Sequence, residues 1–272
     1  MKICLDAGHY KGYNQGKVKS YYEGNIVWKV TKLQKKYLEQ YKDVTVILTR
    51  SEIEKDLSLS NRGAKAKGCD LFISNHSNYC DTESVDRPVI IYAFDNKNKS
   101  DVLGKKLGQA LQDVMGTKQN YQMMQRVYNG GEYYGVMRAA RSVGCPLYYI
   151  VEHGFHSNKA TCDWLLKDEN LEKMVKKEVE VIAKHFGLVK KEQNVSTPTT
   201  STNSKLPYVV RIVTDTLNIR KGVGTTHEIV GTLKKGDAYT IVEESNGWGL
   251  LKAYQTYRNG WISLNSKYVQ KV

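Results

Sequence analysis

Residues 2–9 read Lys-Ile-Cys-Leu-Asp-Ala-Gly-His, a short apolar run that stops at a glycine and is followed at once by a histidine. Its length and composition predict a buried strand over 2–7. Apolar residues then recur at helical spacing over 25–41, and a β-rich run follows at 44–49. Because a strand, a helix and a strand follow one another, the sequence predicts an α/β layer with a mainly parallel sheet.

The same alternation continues to residue 186. Further strands are predicted at 70–74, 88–94 and 147–152, and further helices at 57–67, 100–115 and 160–186, the last as two helices with a break near 168–170. The fold class predicted for this part is therefore α/β, a mainly parallel sheet flanked by helices.

A polar stretch, 190–206, is rich in Ser, Thr and Asn and offers almost nothing to bury, which predicts a solvated linker. Beyond it, short strand candidates separated by glycine-containing turns predict a small all-β barrel. These candidates are 209–213, 217–220, 229–233, 238–243, 248–252 and 260–262. The predicted organisation is a catalytic domain over 1–187, a linker over 188–206 and a barrel over 207–272.

Composition narrows the classes of partner. A hydrophobic content of 40% is sufficient for real cores, and the sequence has no apolar run long enough to span a membrane. The net charge of +13 indicates an anionic partner, either nucleic acid or a phosphate-rich cell wall. Since no helix-turn-helix, zinc-finger or RNP-type pattern accompanies the charge, nucleic acid is disfavoured. The first residues do not have the pattern of a signal peptide, which predicts synthesis as a cytoplasmic product.

Four residues predict a metal centre. His9, His76 and Glu152 each lie at or just beyond the end of a predicted strand, and Glu23 precedes a helix. Ligand sites of open α/β sheets form outside the carboxyl ends of the strands, so these residues are expected to meet at one edge. His9, Glu23 and His76 can bind one zinc ion and leave a position open for water, as catalytic zinc requires. Glu152 ends an apolar strand, where a carboxylate is costly without a task, and can shuttle a proton. The expected class is a hydrolase.

Each residue also has a plainer interpretation. His9 could be a histidine in a surface turn, and His76 a buried histidine with satisfied hydrogen bonds. Glu23 could be placed near a helix N-terminus for its interaction with the helix dipole alone. For Glu152, burial would raise the pKa of the carboxyl and a nearby zinc ion would lower it.

Other polar residues surround these four. Arg50 and Arg62 are expected to be structural ion-pair partners rather than substrate contacts. Asn78 and Asn158 are candidates for hydrogen bonds that orient metal ligands.

Several short sequence motifs carry a family resemblance. They are Asp6–His9, Glu23, Thr49-Arg50, Asn61-Arg62, Ser74–Asn78 and Val151–Asn158. Together and in this order they resemble the zinc-dependent N-acetylmuramoyl-L-alanine amidases of the Amidase_3 type, over roughly residues 1–187. The resemblance implies that His9, Glu23 and His76 bind zinc and that Glu152 is the catalytic carboxylate. It also implies hydrolysis of the bond between N-acetylmuramic acid and L-alanine in peptidoglycan.

The C-terminal part resembles a bacterial SH3 (SH3b) domain through Leu217–Gly222, Val230–Gly236, Gly247-Trp248 and Gly260–Ile262. Such a domain implies binding to the cell wall. The whole arrangement resembles a phage endolysin, which is made in the host cytoplasm and reaches a Gram-positive wall through a membrane pore. Anionic wall polymers are then the expected partners of the basic surface.

Two other functions remain open at the level of sequence. One is a zinc peptidase that cuts within the stem peptide, and the other is a wall-binding adaptor that no longer catalyses. The complete set of candidate ligands argues against the adaptor. A host autolysin or a sporulation amidase are further settings for the same chemistry.

Overall fold

The computed structural model describes residues 1–191, 206–225, 227–245 and 247–272. The chain divides into two compact units, Met1–Gln193 and Asn194–Val272. Most of the predicted linker, 192–205, lies outside the described residues. Its first residues, 188–191, lie against the first unit, because Lys42 N–H donates to Val189 O (2.8 Å) and Lys191 N–H donates to Gln40 O (2.7 Å).

The first unit is an α/β layer fold, as predicted. Its elements are β1 (Lys2–Ala7), α1 (Glu23–Leu38), β2 (Thr45–Leu48), α2 (Leu59–Ala64), β3 (Leu71–Asn78), β4 (Val89–Ile91), α3 (Ser100–Met115), β5 (Gln122–Met124), β6 (Val127–Tyr128), β7 (Gly131–Glu132), α4 (Gly135–Ser142), β8 (Leu147–Phe155), α5 (Lys159–Leu165) and α6 (Asp168–Phe186). Within residues 1–191, one sheet has the strand order β2-β1-β3-β8-β4-β5. Strands β2, β1, β3 and β8 are parallel, whereas β4 is antiparallel to β8 and parallel to β5.

Both faces of this sheet are covered by helices. Ile73 and Val151 belong to an apolar cluster formed with α1, α3 and α6, and Phe72 and Ile150 belong to a second cluster formed with α4. Because side chains alternate along a strand, every second residue of β3 and β8 faces the same layer. His76 and Glu152 therefore share the face of the second cluster.

The second unit is an all-β domain of antiparallel strands. They are β9 (Tyr208–Ile212), β10 (Thr216–Arg220), β11 (Ile229–Lys234), β12 (Ala238–Ser245), β13 (Trp248–Leu251), β14 (Trp261–Ser263) and β15 (Val269–Lys271). Their order among the described residues is β11-β10-β14-β13-β12-β9-β15, around a core that includes Ile219, Ile241 and Ile262. The first six strands coincide with the sequence prediction, and β15, which pairs with β9, is an addition.

Two boundaries differ from the prediction in ways that matter for the site. Strands β3 and β8 continue to Asn78 and Phe155, because their pairing persists past His76 with a register shift between His76 and Asn78. His76 and Glu152 thus lie inside paired strands rather than after them. In the part of the chain that the structure describes, no helix has the length and apolar content needed to cross a membrane.

Candidate metal centre

His9, Glu23 and His76 converge on one point, and one potential ligand atom from each lies within 4.8 Å of the other two. His9 Nε2 is 3.3 Å from Glu23 Oε2, and His76 Nδ1 is 3.0 Å from Glu23 Oε1. A tetrahedral zinc ion with bonds of ~2.0–2.1 Å separates its ligand atoms by about 3.3 Å. Two imidazoles and a carboxylate are donors that zinc accepts, and the two separations between histidine and carboxylate are close to this value.

The backbone at the end of β1 is held by two arginines. Arg62 donates to Ala7 O (2.6 Å) and to His9 O (3.1 Å), and Arg50 donates to Ala7 O (2.7 Å). His9 adopts a left-handed conformation with φ 58°, which is unusual for a residue other than glycine and needs such support. The two arginines therefore support the chain that presents His9. Arg62 also forms ion pairs with Asp6 and Asp56, as expected, whereas no ion pair of Arg50 is found among the described residues.

Glu23 is the first residue of α1 and is only 1% exposed. Its Oε1 accepts the Ser77 N–H (3.0 Å) and its Oε2 accepts the Asn14 amide (2.7 Å). Burial is the largest effect and raises the pKa of this carboxyl, but the hydrogen bonds and charges of His76, His9 and Asn14 together lower the pKa to about 2. The carboxylate is therefore ionised at neutral pH and oriented toward both histidines.

The two histidines respond differently to the same surroundings. Burial lowers the pKa of His9 to about 4, because the opposing attraction of Glu23 is smaller and His76 adds repulsion. For His76, burial also lowers the pKa, yet its hydrogen bond and charge attraction to Glu23 outweigh this and raise the pKa to about 9. These opposite directions favour a proton shared by His76 and Glu23, and a metal ion that bound there would have to displace it, since a ligating imidazole must be neutral.

Glu152 lies directly beside His76, its register partner across the β3–β8 pair. It is 8% exposed, and its Oε2 is buried with no hydrogen-bond partner among the described residues. Burial raises the pKa of this carboxyl to about 7, with a further rise from the charge of Glu23 and opposing effects of His76 and His153. An unpartnered buried carboxyl oxygen is costly in a purely structural role. Glu152 is thus suited to take up and release a proton beside the metal ligands.

Gly8 is required by the ring of His76. A Cβ on Gly8 would lie 2.3 Å from Cε1 of His76 and 2.5 Å from both of its ring nitrogens. At the sequence level Gly8 marks only the end of a strand, because the contact joins two segments that are far apart in the chain.

The Gly8→Ala variant is expected to bind zinc about 10–100-fold more weakly, the range seen when groups that orient a ligand are lost. The added methyl group cannot be accommodated unless the His76 ring moves. Zinc affinity is measured by competition with a chromophoric chelator, with thermal unfolding as a check of the fold. The matched control is Gly131→Ala, where the nearest atom to the added Cβ is 3.9 Å away. If Gly8→Ala and the wild type bound zinc equally well, the absence of a side chain at Gly8 would not be needed to position the His76 ring.

A buried polar network lies on the opposite face of the same strands. His153 Nδ1 is 3.1 Å from His76 O, and His153 Nε2 is 3.0 Å from Glu178 Oε1 on α6. Gln34 on α1 donates to Glu178 Oε2 (3.1 Å) and exchanges hydrogen bonds with Asn75. Burial lowers the pKa of His153, but Glu178 and the His76 carbonyl outweigh this and raise it. The network ties both helices to the strand that carries His76.

The asparagines proposed to orient the ligands lie elsewhere. Asn158 caps α5 by accepting the Thr161 N–H (3.0 Å), and Asn78 accepts the N–H of Tyr79 (2.8 Å). The orienting role belongs to Asn14 and to the backbone N–H of Ser77 instead. Residue type alone did not reveal either of them.

His9 and His76 line a cavity of about 460 Å³ together with Tyr10, Tyr13, Leu59 and Val136, among others, whereas Glu23 and Glu152 are not among its lining residues. This volume suits a small-molecule site, for which ~300–1,000 Å³ is usual. A larger cleft of about 700 Å³ between α3 and α6 shares no lining residue with it and contains none of the predicted site residues. Of these two cavities, only the smaller one is lined by candidate metal ligands.

Comparisons with known proteins give a family match for each unit. The profile of a family described as N-acetylmuramoyl-L-alanine amidase (Amidase_3) matches residues 3–184, and the profile of the bacterial SH3 domain (SH3_3) matches residues 215–270. Comparison with curated proteins gives no match.

Solved structures share the fold of the first unit. The catalytic domain of CwlV, an N-acetylmuramoyl-L-alanine amidase from Bacillus (Paenibacillus) polymyxa var. colistinus, is 18% identical with a TM-score of 0.59. That match covers 69% of this chain and 99% of the other. The CwlD amidase from Clostridioides difficile, solved in complex with the GerS lipoprotein, is 23% identical with a TM-score of 0.56, over 68% of this chain and 98% of the other. At these identities the likeness establishes the fold alone.

Proposed function

Because the chain belongs to the N-acetylmuramoyl-L-alanine amidase family (Amidase_3), we propose that it hydrolyses the bond between N-acetylmuramic acid and L-alanine with a zinc ion held by His9, Glu23 and His76. One observation carries the proposal. Three zinc-type donors converge beside Glu152, a buried carboxyl with an unpartnered oxygen.

A zinc ion held by His9, Glu23 and His76 would supply Lewis-acid polarisation of the scissile carbonyl and would lower the pKa of water from ~16 towards ~7. Glu152 accepts one proton of the water molecule while the oxygen of that water attacks the lactyl carbonyl carbon. Glu152 then returns this proton to the nitrogen of L-alanine as the C–N bond breaks, which yields a carboxylic acid and an amine; transfer of the acid proton to the amine gives carboxylate and ammonium at neutral pH. Asn14 and Ser77 keep Glu23 in place throughout, since both donate hydrogen bonds to its carboxylate.

The two units have separate tasks in this proposal. Residues 1–187 form the catalytic domain, 188–206 the linker and 207–272 a domain that binds the cell wall, which the bacterial SH3 match supports. The net charge of +13 favours a Gram-positive wall that carries anionic polymers. Binding to walls stripped of teichoic acid, compared with intact walls at rising salt concentration, tests that contribution.

The biological role that we propose is lysis, in the manner of a phage endolysin that reaches the wall through a membrane pore. A wall-hydrolysing family joined to a bacterial SH3 domain supports this role. Purified protein added to a suspension of Gram-positive cells is expected to lower its turbidity, whereas protein treated with a chelator is expected to leave it unchanged.

In the deciding experiment, purified Gram-positive peptidoglycan is digested with zinc-loaded protein and, in parallel, with protein treated with a chelator. New N-terminal alanine and new reducing ends are quantified in parallel. Alanine that appears only with zinc, without reducing ends, is the expected result. New N-termini of other stem-peptide residues would instead indicate a zinc peptidase, and wall binding without any product would indicate an adaptor.

A further inference from the structure

Two exposed tyrosines stand beside the metal centre. Tyr10 and Tyr13 are 38% and 41% exposed, lie in the loop that joins His9 to Glu23, and line the same cavity as His9 and His76. Their ring centroids are 5.1 Å apart, and the Tyr13 ring stacks on His9 at 4.7 Å with an interplanar angle of 12°. A continuous aromatic surface therefore runs from solvent to a metal ligand.

The loop that carries these rings is fixed by hydrogen bonds. Glu23 N–H donates to Asn14 O (2.9 Å), Gly24 N–H donates to Tyr13 O (3.3 Å), and Gly12 N–H donates to the side chain of Asn25 (3.0 Å). Helix α1 also packs tightly on it, since a Cβ on Gly24 would lie 1.9 Å from Tyr10 O. Rings held in this way lose little freedom when a ligand binds, which favours affinity.

The tyrosines are not explained by support of the metal ligands alone. Tyr13 braces the ring of His9, but Tyr10 contacts Tyr13 and no ligand. Neither hydroxyl takes part in a hydrogen bond among the described residues. Two part-exposed rings whose hydroxyls have no partner in that part of the chain are suited to a ligand that is apolar on one side and hydroxylated at its edge.

We propose that Tyr10 and Tyr13 form a platform that binds the pyranose ring of N-acetylmuramic acid, and so place the glycan on this side of the metal centre. This inference rests on the proposed function. The sugar is the rigid, flat part of the substrate that lies next to the scissile bond, joined to it by the lactyl group alone. Its axial C–H groups carry partial positive charge and meet the negative face of an aromatic ring. Leu59 and Val136, from α2 and α4, line the same cavity with aliphatic side chains, which offers the peptide a surface of its own.

Binding of the sugar is measured without any reaction. The disaccharide N-acetylglucosaminyl-N-acetylmuramic acid, free of peptide, is titrated into the full chain and followed by NMR. Tyr10→Leu is expected to bind it about tenfold more weakly, and Tyr10→Phe nearly as well as wild type, because the ring rather than the hydroxyl supplies the stacking. The matched control is Tyr128→Leu, which removes a tyrosine that is 61% exposed outside the cavity.

Kinetics provide a second readout. With a soluble disaccharide-tetrapeptide, Tyr10→Leu is expected to raise KM about tenfold with kcat nearly unchanged, as for loss of binding shared by ground and transition states. With a lactyl-tetrapeptide that lacks the sugar, the variant and the wild type are expected to have equal KM and equal kcat.

Disaccharide affinity of Tyr10→Leu equal to that of the wild type would overturn the proposal. An equal rise in KM on the sugar-free substrate would also overturn it, because the rings would then bind the peptide. No saturable binding of the disaccharide by the wild type would also overturn it. Failure of the proposed function is seen separately, as wild-type protein that releases no N-terminal alanine from peptidoglycan.

Discussion

Glu152→Gln is expected to lower kcat for peptidoglycan hydrolysis by about 10²–10⁴-fold while zinc affinity stays at the wild-type level. Glutamine has the size of glutamate but can neither accept the proton of the attacking water nor return it to the leaving amine. The loss should be at the upper end of this range because one carboxyl performs both transfers. No structural hydrogen bond of Oε2 is lost, since that atom has no partner in the described part of the chain.

The experiment measures bound zinc by elemental analysis and the rate of N-terminal alanine release on the same samples. Glu180→Gln, at an exposed position on α6, is the matched control and should retain full activity. Retained hydrolysis by Glu152→Gln would assign the proton transfer to another group. Loss of zinc from this variant would make Glu152 part of the metal-binding set instead.

His9→Ala is expected to lose zinc and activity together. Removing one of three protein ligands should weaken zinc binding by more than the ~10–100-fold that follows from loss of an orienting group. The fold should remain, because the His9 side chain is partly exposed and its polar contacts are confined to Asn14 and Glu23.

Zinc affinity and alanine release are again measured together, with thermal unfolding of the chelated proteins to compare the folds. His185→Ala, at the end of α6, is the control for removal of a histidine as such. A His9→Ala protein with a full equivalent of tightly bound zinc would refute the assignment of this ligand.

Most helices and the central strands of the first unit were predictable because each has a clear pattern of apolar residues. Helix α3 was predicted with the observed bounds, Ser100–Met115, from its apolar stripe, whereas the short helix α4 and the three-residue strand β5 were not predicted from such a pattern. The direction of β4, antiparallel to β8, was not predicted either, because the direction of a strand depends on the path of the chain between strands. Strand β15 was not predicted because only one of its three residues, Val269, is buried, so it shows no apolar pattern.

The residues that converge at the candidate metal centre were predictable by type, since His and Glu beside short apolar runs or at a helix start are conspicuous. The groups that orient them were not. Asn14 is one of many polar loop residues, Ser77 contributes a backbone N–H that every residue except proline has, and Gly8 matters only because of a ring that is 68 positions away in the chain. Such roles arise from contacts between distant segments, which periodicity and motif do not report.

The buried network of His153, Glu178 and Gln34 has a consequence for how the chain folds. A slip of one residue in strand β8 would exchange the faces of Glu152 and His153, because side chains alternate along a strand. Glu178 would then lose His153 while it stays buried, and loss of one partner from a buried ion pair costs roughly 3–5 kcal/mol. The contact between His153 and Glu178 thus favours one alignment of β8 against its neighbours. It is the alignment that places Glu152 beside His76, and the contact that favours it involves protein groups alone.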